Sequence, residues 1–195
     1  MRISFAELKL PTSGVLVLLV DAEVRLSVSA KAVDKATKGA LARALDAAKF
    51  AGKKGESLSV IAPQGREKLT VLLVGAGKAK DLDCLRAQEI GAQVGKALNA
   101  VSGSSATLVS EMFGARAGGP ELAANLALGA RLRSYSYDKY LTKSGGRARS
   151  DGIDRLQVMV KGARDARRRR WRRSQALAPL TTQSAVSERG ARGTR

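Results

Sequence analysis

Two apolar runs, Val15-Leu16-Val17-Leu18-Leu19-Val20 and Leu69-Thr70-Val71-Leu72-Leu73-Val74, stand on either side of a stretch with helical spacing. The first run is apolar at every position, so a strand there needs cover on both faces. In the intervening stretch Val33, Ala36, Ala40, Leu41, Ala44, Leu45 and Ala48 fall on one face, which predicts an amphipathic helix over 33–48. A doubly covered strand, a helix and a further strand restrict the chain to layered α/β architectures.

The rest of the chain extends the alternation. Ile3 to Leu8 reads as an opening strand, and Val24 to Ser29 as a short edge strand or a loop. Leu58 to Ala62 precedes the second apolar run through Pro63-Gln64-Gly65-Arg66, which has hairpin composition. After that run comes Gly75-Ala76-Gly77, then Asp81 or Asp83 as the cap of a helix whose face carries Ala87, Ile90, Gly91, Val94 and Leu98. Its small residues Ala87, Gly91 and Gly95 allow close packing on a sheet. Ser105 to Val109 predicts a strand, Pro120 to Leu132 a helix, and Leu156 to Val160 a last strand. The expected fold is a mixed sheet with helices on both faces.

Charge is unevenly placed. The net charge is +18, and residues 161–195 hold eleven Lys/Arg against two Asp/Glu, half of that excess in the last 35 residues. Within them Arg167, Arg168, Arg169, Arg170, Trp171, Arg172 and Arg173 form a basic run with one aromatic. It reads either as a solvated tail or as a nucleic-acid contact, with arginines on phosphates and Trp171 stacked on a base. The residues after it lack periodicity and read as disordered.

Histidine is absent, which excludes a Ser-His triad, a histidine base and a histidine metal site on this chain. Cys84 is the single cysteine. It forms no internal disulfide and reads as a small buried hydrophobe. No segment approaches the ~18–20 apolar residues of a membrane span, and no signal-peptide core is present, so the reading is a cytoplasmic protein without membrane contact.

Gly75-x-Gly77 lies after a strand and before a helix, where doubly wound domains hold phosphate. The third glycine of the dinucleotide fingerprint is missing, position 80 being Lys80. A plain strand-to-helix turn competes with a phosphate contact. The chain's three tyrosines, Tyr135, Tyr137 and Tyr140, cluster after the Pro120 helix with Asp138 among them. Tyrosines so placed suit either a core edge or an interface.

Three pieces then fall in order: Phe50-Ala51-Gly52-Lys53-Lys54-Gly55-Glu56; Leu69 through Gly75, Gly77 and Lys78; and Gly129-Ala130-Arg131-Leu132 followed by Tyr135, Tyr137, Asp138, Tyr140, Thr142 and Lys143. In this order and spacing, residues 1–162 resemble the N-terminal domain of the leucyl aminopeptidases, also called cytosol aminopeptidases. The resemblance implies a small α/β domain similar to macro domains, with Gly75, Gly77, Gly129, Leu132, Tyr135, Tyr137, Asp138 and Tyr140 as its structural signature. It also implies a parent metalloexopeptidase that performs proteolysis with a larger C-terminal domain. There two divalent metals (zinc, manganese or magnesium) activate a bridging water. The family forms hexamers, so aminopeptidase subunits are the implied partners, and some bacterial members bind DNA.

The departure is as informative as the match. The family's Asn-Thr-Asp-Ala-Glu-Gly-Arg type metal segment does not occur in this sequence. After Val160-Lys161-Gly162 the sequence leaves the family pattern and turns Arg-rich. The expected division is therefore an accessory domain over 1–162 and an Arg-rich, disordered tail over 163–195, as a shifted reading frame of a GC-rich gene would produce. No catalytic or metal-binding residue carries over, and the chain by itself is expected to hold no cofactor and to be inactive as a peptidase. The alternative function is a basic nucleic-acid-binding module.

Overall fold

The computed structural model describes residues 1–101, 103–111, 119–134 and 153–168. Its elements run β1 (Arg2–Ala6), β2 (Gly14–Asp21), α1 (Val28–Ala36), α2 (Ala40–Ala47), β3 (Ser57–Ile61), β4 (Leu69–Gly77), α3 (Cys84–Leu98), β5 (Ser105–Val109), α4 (Pro120–Arg133) and β6 (Arg155–Met159). The strands form one sheet in the order β1-β6-β5-β2-β4-β3. All neighbours are parallel except β3, which pairs antiparallel with β4 as its hairpin composition predicts.

The apolar run in β2 forms the centre of the molecule because both its faces are covered. Val15, Val17 and Leu19 join Ile90, Val94, Leu98, Leu122 and Leu126 in one layer with α3 and α4. Leu16, Leu18 and Val20 join Ala30, Val33, Leu41 and Leu45 in the other, with α1 and α2. Side chains alternate across a strand, so consecutive residues feed opposite layers. Fully burying each Leu or Val contributes about 1.5–3 kcal/mol.

Two local expectations change, and two open alternatives are decided. The helix predicted over 33–48 is two helices, and it begins earlier, at Val28. Thr37 Oγ1 donates back to the Val33 carbonyl at 2.9 Å, and Gly39 turns the chain at φ 75°. The Asp34 carboxylate then accepts from the amides of Leu41 and Ala42 at 2.9 and 3.1 Å, capping α2 from the helix before it. Of the two readings of 24–29, a loop is found over 24–27, and α1 begins at Val28. Ser27 accepts from the Ala30 amide at 3.2 Å and starts α1. Finally, Gly75 and Gly77 are not a turn after the strand but its last residues, paired with Val20 and Asp21 across a bulge. Asp83, not Asp81, caps α3, accepting from the Arg86 amide at 2.6 Å.

The change of character after Gly162 is not where described order ends. Residues 163–168 are helical. Ala163 and Ala166, three apart on one face, are buried in the α3/α4 layer. The Glu7 carboxylate accepts from the Ala163 amide at 3.0 Å, tying this helix to the segment after β1.

The α1/α2 layer reaches β5 at Val109 but leaves residues of β1, β6 and the start of β5 exposed. There the crossing segment from Glu7 to Ser13 supplies the cover, with Leu8 and Leu10 against the core and the Lys9 amide donating to the Met159 sulfur at 3.2 Å. Below it, Arg2, Ser4, Ser105, Arg155 and Gln157 are exposed.

Candidate functional site

In an open α/β sheet the ligand crevice lies beyond the carboxyl ends of the strands, where successive connections part to opposite sides. Here that point is between β2, whose chain leads toward β4, and β5, whose chain leads toward β6. Asp21 ends β2, and Ser110 and Glu111 follow β5. Gly75 and Gly77 end β4 on the neighbouring side.

Among the described residues, Asp21, Ser110 and Glu111 at this edge each have a partner from the chain itself. Asp21 is 1 % exposed. Its Oδ1 accepts from the amides of Glu23 and Arg25 at 3.1 and 2.7 Å, and its Oδ2 from Arg25 Nε at 2.8 Å. The carboxylate thereby closes a tight loop and pairs with the Arg25 guanidinium. Glu111 Oε2 accepts from the Ser29 hydroxyl at 2.7 Å and the Ser29 amide at 3.2 Å. It fills the positive end of α1, the position an external anion would take. Ser110 donates its hydroxyl and its amide to the Met159 carbonyl at 2.8 and 3.0 Å.

The Gly75-x-Gly77 amides are likewise engaged. Gly75 donates to the Glu56 carbonyl at 2.9 Å and Gly77 to the Gly52 carbonyl at 3.0 Å, which leaves neither for a phosphate. Glycine is required here by close approach. A Cβ on Gly75 would lie 2.1 Å from the Lys53 carbonyl oxygen, and one on Gly52 would lie 1.9 Å from that of Asp21. The Glu56 carboxylate folds the loop from within, accepting from the amides of Ala51 and Lys53. Two of the sequence pieces singled out above, 50–56 and 69–78, are therefore the two sides of one backbone contact.

The third piece is another such contact. Gly129 of α4 lies on α3, where a Cβ would meet the Gln88 carbonyl oxygen at 1.8 Å. Leu132, one turn later, is 57 % exposed. Tyr135, Tyr137, Asp138 and Tyr140 lie outside the described residues, as do Arg169, Arg170, Trp171, Arg172 and Arg173. Arg167 and Arg168 are described and exposed on the helix anchored by Ala163 and Ala166. The structure does not bring them to the β2/β5 crevice residues through any described hydrogen bond or ion pair.

The remaining reactive groups are few. Cys84 is exposed rather than buried as expected, because it starts α3 at the rim, with its sulfur 3.6 Å from Glu121 Oε1. Glu89 binds Lys54 at 2.7 Å and Arg86 at 3.2 Å. The Lys54 hydrogen bond, helped by Arg86, outweighs desolvation and holds the Glu89 carboxyl below the usual carboxylate range. Among the described residues, no three His, Cys, Asp or Glu side chains gather as metal ligands. Asp21 and Glu111, the acids of the crevice, are held by Arg25 and Ser29.

The model of the cytosol aminopeptidase family, N-terminal domain, matches residues 17–144. The chain belongs to the cytosol aminopeptidase family. It is 38 % identical over 144 residues to the probable cytosol aminopeptidase of Xanthobacter autotrophicus, covering 72 % of this chain and 28 % of that one. With the protein of the same name from Afipia carboxidovorans the identity is 36 % over 146 residues, covering 73 % and 28 %. The chain thus spans little more than a quarter of the length of the curated relatives it matches. Among solved structures, a mutant of tomato leucine aminopeptidase shares the fold with a TM-score of 0.66 at 15 % identity, over 87 % of this chain and 35 % of that one. The bottromycin maturation enzyme BotP gives a TM-score of 0.57 at 18 % identity, over 80 % and 29 %. Within the matched range, Gly75 and Gly129 lie against backbone carbonyls, and Gly77 donates its amide to one.

Glu111 and its seat on α1 escaped the sequence reading because they lie 82 residues apart. The sole hint in the sequence is the serine pair Ser27 and Ser29 before an apolar face.

Proposed function

We propose that this polypeptide is a non-catalytic accessory domain of a dimetal cytosol aminopeptidase. One observation carries the reading. The family-pattern glycines Gly75, Gly77 and Gly129 are engaged in backbone contacts within the domain, while the acids at the ligand-crevice position are held by the chain's own amides, hydroxyl and guanidinium. Peptide hydrolysis, the zinc, manganese or magnesium pair and the hexameric subunit contacts belong to the longer family proteins. This domain contributes to them by packing against aminopeptidase subunits, in the cytoplasm. No helix among the described residues is long and apolar enough to cross a membrane.

The test is hydrolysis of leucine p-nitroanilide with added manganese by the homogeneous chain. No turnover is expected at any protein concentration, and metal-dependent turnover that co-purifies with the chain overturns the reading.

A second reading, nucleic-acid binding, is favoured by one placement. Ala163 and Ala166 bury one side of their helix and leave Arg164, Arg167 and Arg168 exposed. The sequence then continues with Arg169, Arg170, Trp171, Arg172 and Arg173. Phosphate contacts of this kind weaken steeply with salt. Anisotropy of a labelled DNA duplex should show binding at low salt that is lost at high salt and lost when residues 164–195 are removed. Salt-independent binding excludes this reading.

A further inference from the structure

Register fixes two rows of side chains on the sheet face that the α1/α2 layer leaves open. Arg2 pairs with Arg155, and Arg155 with Ser105, along the first row. Ser4 pairs with Gln157, and Gln157 with Thr107, along the second. Neighbouring strands stand about 4.8 Å apart, so the stems of Arg2 and Arg155 rise side by side. Like charges directly opposite each other destabilise a sheet. Among the described residues neither guanidinium has an ion-pair partner within 4.0 Å. Arg2 and Arg155 line an open hollow of about 310 Å³ together with Met1 and Asp154. Asp154 gives its backbone carbonyl to the Arg2 amide at 2.6 Å, and its carboxylate lies beyond ion-pair distance from both arginines.

We propose that this corner of the sheet binds a phosphate-type oxyanion, bridged by Arg2 and Arg155 with the Ser105 hydroxyl as a further donor. The chemistry of the two rows favours it. They hold two guanidiniums, three hydroxyls and one amide, and no carboxylate. A guanidinium presents paired N–H donors that match phosphate oxygens. A doubly charged anion between the two arginines replaces their repulsion with two attractions. Residues 163–168, the described part of the basic stretch, do not line the hollow. The site also stands independently of the accessory-domain reading.

The experiment is thermal unfolding of the full chain in inorganic phosphate, against sodium chloride at matched ionic strength. Phosphate near saturation is expected to raise Tm by about 2–4 °C over chloride. The shift is expected to disappear in R2Q/R155Q and to survive in R167Q/R168Q. Absence of a phosphate-specific shift, or an equal shift in R2Q/R155Q, overturns the proposal. A readout that needs no variant is an NMR titration of the unaltered chain with phosphate. Perturbations centred on Arg2, Arg155 and Ser105 support the site, and perturbations confined to other residues overturn it. Competition with a short oligothymidylate distinguishes the source of the anion. At least tenfold tighter binding of the oligonucleotide, lost in R2Q/R155Q, assigns the site to a polymer phosphate. Binding no tighter than that of inorganic phosphate assigns it to a free oxyanion.

Discussion

Gly91 of α3 lies directly against Leu126 of α4: a Cβ built on Gly91 would stand 2.1 Å from the Leu126 carbonyl oxygen. Gly129 makes the converse contact, with its missing Cβ 1.8 Å from the Gln88 carbonyl oxygen. The two helices approach through backbone on both sides, and Gln88 and Asn125 add a side-chain hydrogen bond of 3.1 Å between them. G91A and G129A should each destabilise the fold by about 1–3 kcal/mol, because the obstruction is backbone and cannot rotate away. Urea denaturation should show a lower midpoint with an unchanged slope. The double variant should cost less than the sum, since either methyl already parts the same pair of helices. An unchanged midpoint in both single variants would refute this contact.

Asp21 should matter more than its partner. Asp21 is buried and holds two amides besides Arg25, while Arg25 is 39 % exposed on its side chain. D21A is expected to cost about 2–3 kcal/mol, the range for hydrogen bonds to a charged group. R25A should cost about 1 kcal/mol, because water reaches the guanidinium. Equal losses in denaturation would indicate that the ion pair, not the loop amides, is the main contribution.

The Lys54–Glu89–Arg86 cluster gives a pH dependence with a defined sign. The folded carboxyl of Glu89 titrates below its ordinary value, first because of the Lys54 hydrogen bond. Its contribution to stability is complete above the ordinary carboxylate pKa and is lost as pH falls through the lowered folded value. Carbon-detected NMR should find Glu89 titrating below the usual glutamate range, and K54A should move it upward. A K54A titration identical to that of the parent chain would remove Lys54 as the cause.

The helix at 163–168 can be separated from a solvated tail by two substitutions. Ala166 is fully buried, so A166D places a charge in the α3/α4 layer and should cost several kcal/mol. R167Q/R168Q touches exposed positions and should stay within about 0.5 kcal/mol. Equal stability of A166D and the parent chain would mean that this helix does not complete the core in solution.

The sequence by itself determined the centre and the alternation. The apolar run Val15 to Val20 needs cover on two faces, and periodicity along 84–98 and 120–132 supplies helices for one of them. The hairpin between β3 and β4 was legible for the same reason, since turn composition and strand alternation are local signals. So was the family likeness, because it rests on residue identities in order. Tertiary structure decided what those residues do. The Asp34 cap splits one expected helix into two, and the Glu111 carboxylate seats on α1 from beyond β5. Gly75 and Gly77 become strand ends pressed against residues 52–56, and Arg2 meets Arg155 through the register of the first and last described strands. Each of these depends on contacts between segments distant along the chain. Local propensity and periodicity carry no information about which distant carbonyl or carboxylate arrives, because that is settled by how the layers pack.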